Sequence, residues 1–437
     1  RWFTGRPFAA WDPRVLQVGG AALSQVLREL GRVDEAALGA AYRRQADPGD
    51  TTFDVLSGAG HDAPDIDLLD VAAGLDRIAT TTGAHAKTAA LRDMLARCDP
   101  TAAKYVVKLI TAIAGRQTPD LAMIGTTWMG ELTKLNAVNE LPSSFNQSDF
   151  FKGGMSTAIS NGKAYGVPFY VETRVLFYRK DLADKAGITT PPATWDDLMT
   201  MAQKIKASGS KYGINFQTND WQEYLPFVWS TGGDVTKNGK VTLDSAGATK
   251  ALAYYSDYFK KGLTRGTTPQ GFDLIQAFVA GDDPAFISGP WMMDSIIKSG
   301  LDSSKWAVAP MPKGSASATS FVGGSDWVVF KNSKSTDAAW KFVQFMSQKD
   351  TQVSWYKTIK DLPSRQDAWN DPALQADPRL KVFGEQLKDA KSPPSISQWE
   401  EVAKAIYDWQ EKASLGKVSP ADATKGMQQQ VTTIVGQ

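Results

Sequence analysis

Tyr170, Glu172 and Arg174 alternate along one predicted strand, so a phenol, a carboxylate and a guanidinium share a face. Trp291 follows Gly289-Pro290, where proline suits a first helical turn. A helix starting there aims unpaired N–H groups and an indole into one space. Gly324 and Ser325 precede a predicted strand at Asp326–Phe330, and glycine there lets backbone approach a ligand closely. Trp128, Trp229 and Trp399 add further indoles. These groups stack on flat apolar surface and exchange hydrogen bonds, and a carboxylate gives the stronger, charge-assisted kind. Each has a plainer alternative: Trp291, Trp128, Trp229 and Trp399 as packing residues, Glu172–Arg174 as a surface ion pair, Gly324-Ser325 as a tight turn.

The parts for bond chemistry are missing. No Gly-x-Ser-x-Gly occurs, and Gly233 to Gly239-Lys240-Val241 has the wrong gap for a phosphate-binding loop and lacks its hydroxyl. Both histidines, His61 and His85, lie in the N-terminal quarter, away from the predicted strands, which argues against a serine triad there. Neither has a Cys/His pair at ligand spacing, so no metal is expected, and no motif calls for a cofactor. A glycosidase could pair Glu172 with Asp326, but nothing in the sequence sets their separation. A non-catalytic binder is the expectation.

The chain has 437 residues, with Lys+Arg 48 against Asp+Glu 47. No global field therefore draws it to nucleic acid or anionic lipid. A single cysteine, Cys98, excludes an internal disulfide. No uncharged apolar run approaches the roughly 20 residues of a membrane helix. The chain begins at Arg1 with no positive-then-apolar export segment, as expected of a processed chain, a fragment or one with something missing in front.

Two compositions meet near residues 109–117. Residues 1–116 hold 11 Arg and 3 Lys, and residues 117–437 hold 5 Arg and 29 Lys together with 12 of the 14 Trp. The first part reads as wholly helical, with apolar stripes at Leu23, Val26, Leu27, Leu30; at Leu68, Val71, Ala72, Leu75; at Leu91, Met94, Leu95, Cys98; and at Ala102, Tyr105, Val106, Leu109. Breakers fall at Gly19-Gly20, Asp47-Pro48-Gly49 and Asp99-Pro100. Cys98 completes a stripe and is expected in the core. The second part alternates helices, such as the one capped by Thr194 with Asp197, with short β-rich runs at 121–124, 167–171, 175–178, 285–287, 306–309 and 327–330. Two more helices are expected near Glu400–Lys412 and Pro420–Val435. This alternation predicts α/β layers with largely parallel sheets.

Several local words stand in a telling order: Gly-Arg-Gln-Thr-Pro-Asp-Leu-Ala (115–122) with Thr-Thr-Trp (126–128), then the run from Gly162 to Leu182, then Phe-Ile-Ser-Gly-Pro-Trp (286–291) and Phe-Val-Gly-Gly-Ser (321–325). The series resembles the family 1 extracellular solute-binding proteins, the maltose- and trehalose-type sugar receptors of ABC importers, over about 110–437. The resemblance implies a two-lobed, periplasmic-binding-protein-like α/β fold that closes over a sugar, with hinges near Arg174–Leu176 and Ala309–Pro312. It implies a first lobe at 111–174 and 310–365, and a second at 175–309 and 366–437. It also implies that Trp291 stacks on sugar, that Tyr170, Glu172, Arg174, Gly324, Ser325, Trp128, Trp229 and Trp399 are ligand-binding candidates, and that a monomer works with ABC permease subunits outside the cytoplasm. Glu172 stands where many relatives carry Asp, and Gly125 where some place an acidic contact.

Trp-Phe-Thr-Gly-Arg-Pro-Phe (2–8), the Val-Gly-Gly-Ala-Ala-Leu run (18–23) and the 86–110 stretch resemble the start of the DNA-binding domain of ATP-dependent DNA ligases, over about 1–110. The ligase's adenylation motif is absent, and residues 1–116 balance 14 basic against 14 acidic residues, which argues against strong phosphate binding. The alternative function is thus a nonfunctional or repurposed chimera whose helical segment contacts DNA. Sugar receptors of the resembled family begin with a strand–helix–strand unit that this chain lacks. Lobe one is therefore expected to be incomplete, with costly unpaired backbone groups on the missing strand's neighbours.

Overall fold

The computed structural model describes residues 20–63, 68–115 and 119–437, which form two compact units. The first is built on six helices: α1 (Gly20–Gly31), α2 (Glu35–Gln45), α3 (Pro48–Gly58), α4 (Leu68–Thr80), α5 (Ala84–Leu95) and α6 (Pro100–Gly115). Two expected breakers act as helix starts. Asp47 accepts the Asp50 N–H at 2.8 Å ahead of Pro48, and Asp99 accepts the Thr101 N–H at 2.6 Å beyond Pro100. Leu23, Val26, Leu27, Val71, Leu75, Leu91, Met94 and Leu95 are buried as the stripes predict. Gly19, the 2–8 motif and the side chains of Leu68, Ala72 and Leu109 lie outside the described residues.

The α6 stripe is turned by one residue from the expectation. Ala103, Val106 and Val107 are buried, whereas Tyr105 is 62% exposed. Ion pairs to the start of α3 account for it: Lys104 and Lys108 both reach Asp50, at 2.5 and 2.9 Å, so that side of α6 faces α3. Cys98 is fully buried and donates its Sγ hydrogen to the Met94 carbonyl at 3.3 Å. Burial pushes its thiol up to about 11. Because the thiolate is the reactive species, iodoacetamide at pH 8 is expected to leave Cys98 unmodified in the native protein and to alkylate it fully in denaturant. Mass spectrometry reads the outcome, and stoichiometric labelling of native protein would contradict it.

The second unit carries twelve strands: β1 (Leu121–Gly125), β2 (Ile159–Ser160), β3 (Lys163–Ala164), β4 (Gly166–Thr173), β5 (Val175–Arg179), β6 (Thr236–Lys237), β7 (Lys240–Val241), β8 (Ala285–Ser288), β9 (Trp306–Ala309), β10 (Ser320–Val329), β11 (Leu362–Pro363) and β12 (Ala390–Lys391). One sheet runs β1-β10-β4-β11, with β12 on β10, and another runs β8-β5-β9. The remaining strands form hairpins β2-β3 and β6-β7. Their Asn161-Gly162 and Asn238-Gly239 turns have positive φ at both positions, as a tight two-residue hairpin loop demands.

The expectation of largely parallel sheets is corrected. Among the described strands only β10 with β12 is parallel; the other pairings in both sheets are antiparallel. The reason is the path of the chain. It leaves the first sheet on β4, passes through the single residue Arg174 and continues in the second sheet as β5. It returns from β9 through 310–319 to β10, so the outgoing and incoming strands run in opposite directions.

Among the described residues β1 pairs only with β10, which places it at the sheet's edge. On β1, Met123 is 44% exposed, Leu121 and Ala122 are half-buried and Ile124 is buried.

The helix Trp195–Ala207 begins at the predicted capping box, with Thr194 and Asp197 each bonding the other's backbone N–H. Leu198, Met201, Ala202 and Ile205 are fully buried on its inner face. The C-terminal helices are Trp399–Ser414 and Pro420–Val435.

Candidate functional site

The first sheet sets up a row of polar groups by register. Gly125 on β1 opposes Ser325 on β10, which opposes Tyr170 on β4. One step of two residues further, Glu172 opposes Gly323. Directly opposed residues project to the same face, so Ser325, Tyr170 and Glu172 are neighbours on one side. Tyr170 lies half-buried opposite Ser325, and burial raises its phenol above its ordinary value. Gly323 leaves the room Glu172 uses: a Cβ there would stand 2.7 Å from Glu172 Oε1. Gly324 is required for another reason, since its φ is +123° and a Cβ would stand 2.1 Å from the Tyr170 carbonyl oxygen.

Arg174 joins this row to the second sheet. Its Nη1 donates to Glu172 Oε2, and its Nη2 donates to Gln222 Oε1 at 2.5 Å. The guanidinium lies over the Trp291 ring, 4.8 Å from the centroid, and over the Phe321 ring at 5.2 Å. Trp291 opens the helix Trp291–Lys298, as the Gly-Pro-Trp spacing predicts. Its six-membered ring lies against Gly289, where a Cβ would stand 2.1 Å away. The indole is nevertheless 48% exposed, an unusual position for so large an apolar surface.

Trp128 follows β1 and is half-buried, its indole over Gly125, where a Cβ would be 3.5 Å from the ring. The absent side chain at Gly125 is thus replaced by the face of Trp128. The other two expected indoles are corrected to core positions. Trp399 is 1% exposed and packs edge-on against Trp221, with centroids 5.0 Å apart. Trp229 is 4% exposed and donates Nε1–H to Asp234 at 3.2 Å. Their helices turn these rings inward, and a ring without an open face cannot stack on a solute. Sequence reading missed Gln222, Phe321 and Trp221. Trp221 packs edge-on against Phe321 at 5.2 Å and so backs the Arg174 stack. Only the N-cap Asp220, which accepts the Gln222 N–H at 2.7 Å, was a signal in the sequence that a helix starts there.

Two buried acids lie close by. Glu223 accepts the Gln217 N–H and the Tyr255 hydroxyl, each at 3.0 Å, and burial pushes its carboxyl up to about 8. Asp326 is fully buried and pushed up to about 7 by burial. Thr157 Oγ1 lies 2.9 and 3.0 Å from the two Asp326 oxygens and 2.7 Å from the Gly154 carbonyl. One hydroxyl hydrogen cannot serve all three. A protonated Asp326 resolves this by donating to Thr157, whose own hydrogen then goes to Gly154. Enclosed in this way, Asp326 is poorly placed to partner Glu172 in catalysis.

Both acids bind protons more tightly folded than unfolded. Stability is therefore greatest below their ordinary values of 4.5 and 3.8 and falls as pH rises toward about 8 and about 7. Each contributes a slope of at most about 1.4 kcal/mol per pH unit. Glu223→Gln keeps an acceptor for Gln217 and Tyr255 and is expected to remove about half of the slope between pH 5 and 7. Urea denaturation at pH 5, 6 and 7 measures it; an unchanged slope would refute the assignment.

Residues 97–382 match the bacterial extracellular solute-binding protein family, and residues 3–113 match the DNA ligase N terminus. A Brucella abortus (strain 2308) protein described as a binding protein is 32% identical over 326 residues, 72% of this chain and 79% of the relative. The galactooligosaccharide-binding protein of Bacillus subtilis (strain 168) is 25% identical over 290 residues, 63% of this chain and 67% of its own. Among solved structures, the sugar-binding protein MalE of Xanthomonas citri superposes with a TM-score of 0.71 at 29% identity, covering 75% of this chain and 87% of that one. Maltose-bound MalE3 of T. maritima gives 0.63 at 27%, covering 74% and 87%. Joined to the two sheets and the chain crossings between them, these matches decide the matter: the chain belongs to the bacterial extracellular solute-binding protein family.

Proposed function

We propose that the protein captures an oligosaccharide between two α/β lobes and delivers it to the permease of an ABC importer, without bond chemistry. The observation that carries this reading is that Arg174 touches both an exposed indole, Trp291, and Glu172, whose strand face also carries Tyr170 opposite Ser325, where the chain passes from one sheet to the other. A sugar ring offers an apolar C–H face and a rim of hydroxyls, and this set offers a plate and fixed polar groups. Trp128 and the backbone at Gly324 extend the surface. The relatives named for galactooligosaccharide and maltose support the same class of ligand.

The lobes are residues 121–174 with 310–365 and residues 175–309 with 366–437, hinged at Arg174–Leu176 and Ala309–Pro312; the first starts at β1 rather than at residue 111, because α6 carries residues 111–115 in the helical unit. The protein acts as a monomer outside the cytoplasm. Among the described residues, no helix is long and apolar enough to cross a membrane. Isothermal titration against malto-, galacto- and trehalo-oligosaccharides tests the reading. Binding of at least one is expected, in the micromolar range because the first sheet ends at β1. Heat from none of the panel would refute sugar capture, and sub-micromolar affinity would refute the weakening.

A further inference from the structure

The guanidinium of Arg174 is the most fully engaged group in the candidate site. The residue is 6% exposed. Its two terminal nitrogens go to Glu172 and Gln222, and its flat surface meets the rings of Trp291 and Phe321. Its carbonyl accepts the Ser320 hydroxyl at 2.7 Å, so the backbone is held as well. These partners come from separate parts of the fold. Glu172 and Phe321 belong to β4 and β10 of the first sheet. Trp291 follows β8 of the second sheet, and Gln222 lies in the first turn of the helix Trp221–Ser230.

We propose that Arg174 is a positioning residue rather than a sugar contact, and that with Gln222 it sets the indole of Trp291 and the carboxylate of Glu172 for the solute. The proposal rests on the carbohydrate reading. A planar guanidinium can do this because its fork bonds two acceptors in its plane while its flat surface stacks on rings. Two of its five N–H donors and its flat surface are engaged by protein, and at 6% exposure little of the group can reach a ligand hydroxyl. The hold on Glu172 also ties up one carboxylate oxygen, leaving Oε1 as the acceptor for solute. An otherwise exposed indole is thereby kept in one orientation, and binding need not spend free energy ordering it.

The test combines oligosaccharide titration with near-UV circular dichroism of ligand-free protein. Arg174→Met is expected to weaken sugar binding by about tenfold or more, and Arg174→Lys, which restores charge without the fork or the flat face, to remain about fivefold weak. Gln222→Ala is expected to weaken it about threefold. In a Trp291→Ala background the Arg174→Met effect should shrink to about threefold or less, because residues acting through one another are not additive. An equal loss in both backgrounds would overturn the proposal. The Trp291 signal, taken as wild type minus Trp291→Phe, should be lost in Arg174→Met; a retained signal also overturns it. Arg174→Met with Glu172→Gln avoids an unpaired carboxylate and supplies the same readings if the single variant does not fold. If the wild-type chain binds no sugar in the panel, the carbohydrate reading fails, and the ligand-free signal alone decides whether Arg174 orients the indole.

Discussion

Trp291→Ala is expected to weaken oligosaccharide binding about thirtyfold while lowering the thermal midpoint by only a few degrees. The two halves of that expectation have separate causes. Trp291 is 48% exposed, so truncating it forfeits its contacts with Gly289 and Arg174 but opens no hole in either sheet's core. Its open surface, steadied by Arg174 and Gly289, is the broadest apolar plate in the candidate site. A tryptophan at the centre of a binding surface contributes about 2 kcal/mol, which is roughly thirtyfold in affinity. Trp291→Phe keeps a smaller plate and should lose only about threefold to fivefold. Calorimetric titration with the tightest-binding sugar of the panel measures both. Unchanged affinity in Trp291→Ala would remove the indole from the site.

Gly324→Ala is expected to cost on the order of 4 kcal/mol of stability and most of the sugar binding with it. The backbone there has φ +123°, a region L side chains avoid, and an added Cβ would stand 2.1 Å from the Tyr170 carbonyl oxygen. The obstacle is backbone, not the end of a flexible side chain, so β4 and β10 must move apart. They would part beside the Ser325–Tyr170 pair and the register shift between Ser325 and Asp326. Gly300→Ala is the control. Its φ is +80° but nothing lies within 4 Å of its Cβ, so only a conformational cost of about 1 kcal/mol is expected. Urea denaturation of both variants separates strain from collision. A Gly324→Ala protein as stable as the control would show that the strands are not tightly apposed at this point.

Much of this was legible in order along the chain. Helices α1, α4 and α5 follow their apolar stripes, and the capping box at Thr194 starts the helix it announces. Tyr170 and Glu172 share a face because a strand alternates. Trp291 opens a helix because Gly-Pro precedes it. These are local rules, set by backbone geometry over a few residues. The sequence was less informative wherever a distant partner decided the result. Tyr105 fits an apolar stripe but is exposed, because Lys104 and Lys108 turn α6 toward Asp50 some fifty residues away. Trp399 and Trp229 have the same chemistry as Trp291 yet face inward, since each helix is rotated by what packs on it.

Residue types and spacing alone determined that this chain holds a helical part and an α/β part, that Tyr170 and Glu172 share a strand face, and that Trp291 stands at a helix start. Tertiary structure decided that the sheets are mainly antiparallel, that Gln222 and Phe321 close around Arg174, and that only some of the indoles keep an open face. The physical reason is range. Helix caps and strand alternation are satisfied within a handful of neighbouring residues. The direction of a strand's partner, and the exposure of a ring, depend on which remote segment the returning chain lays against it.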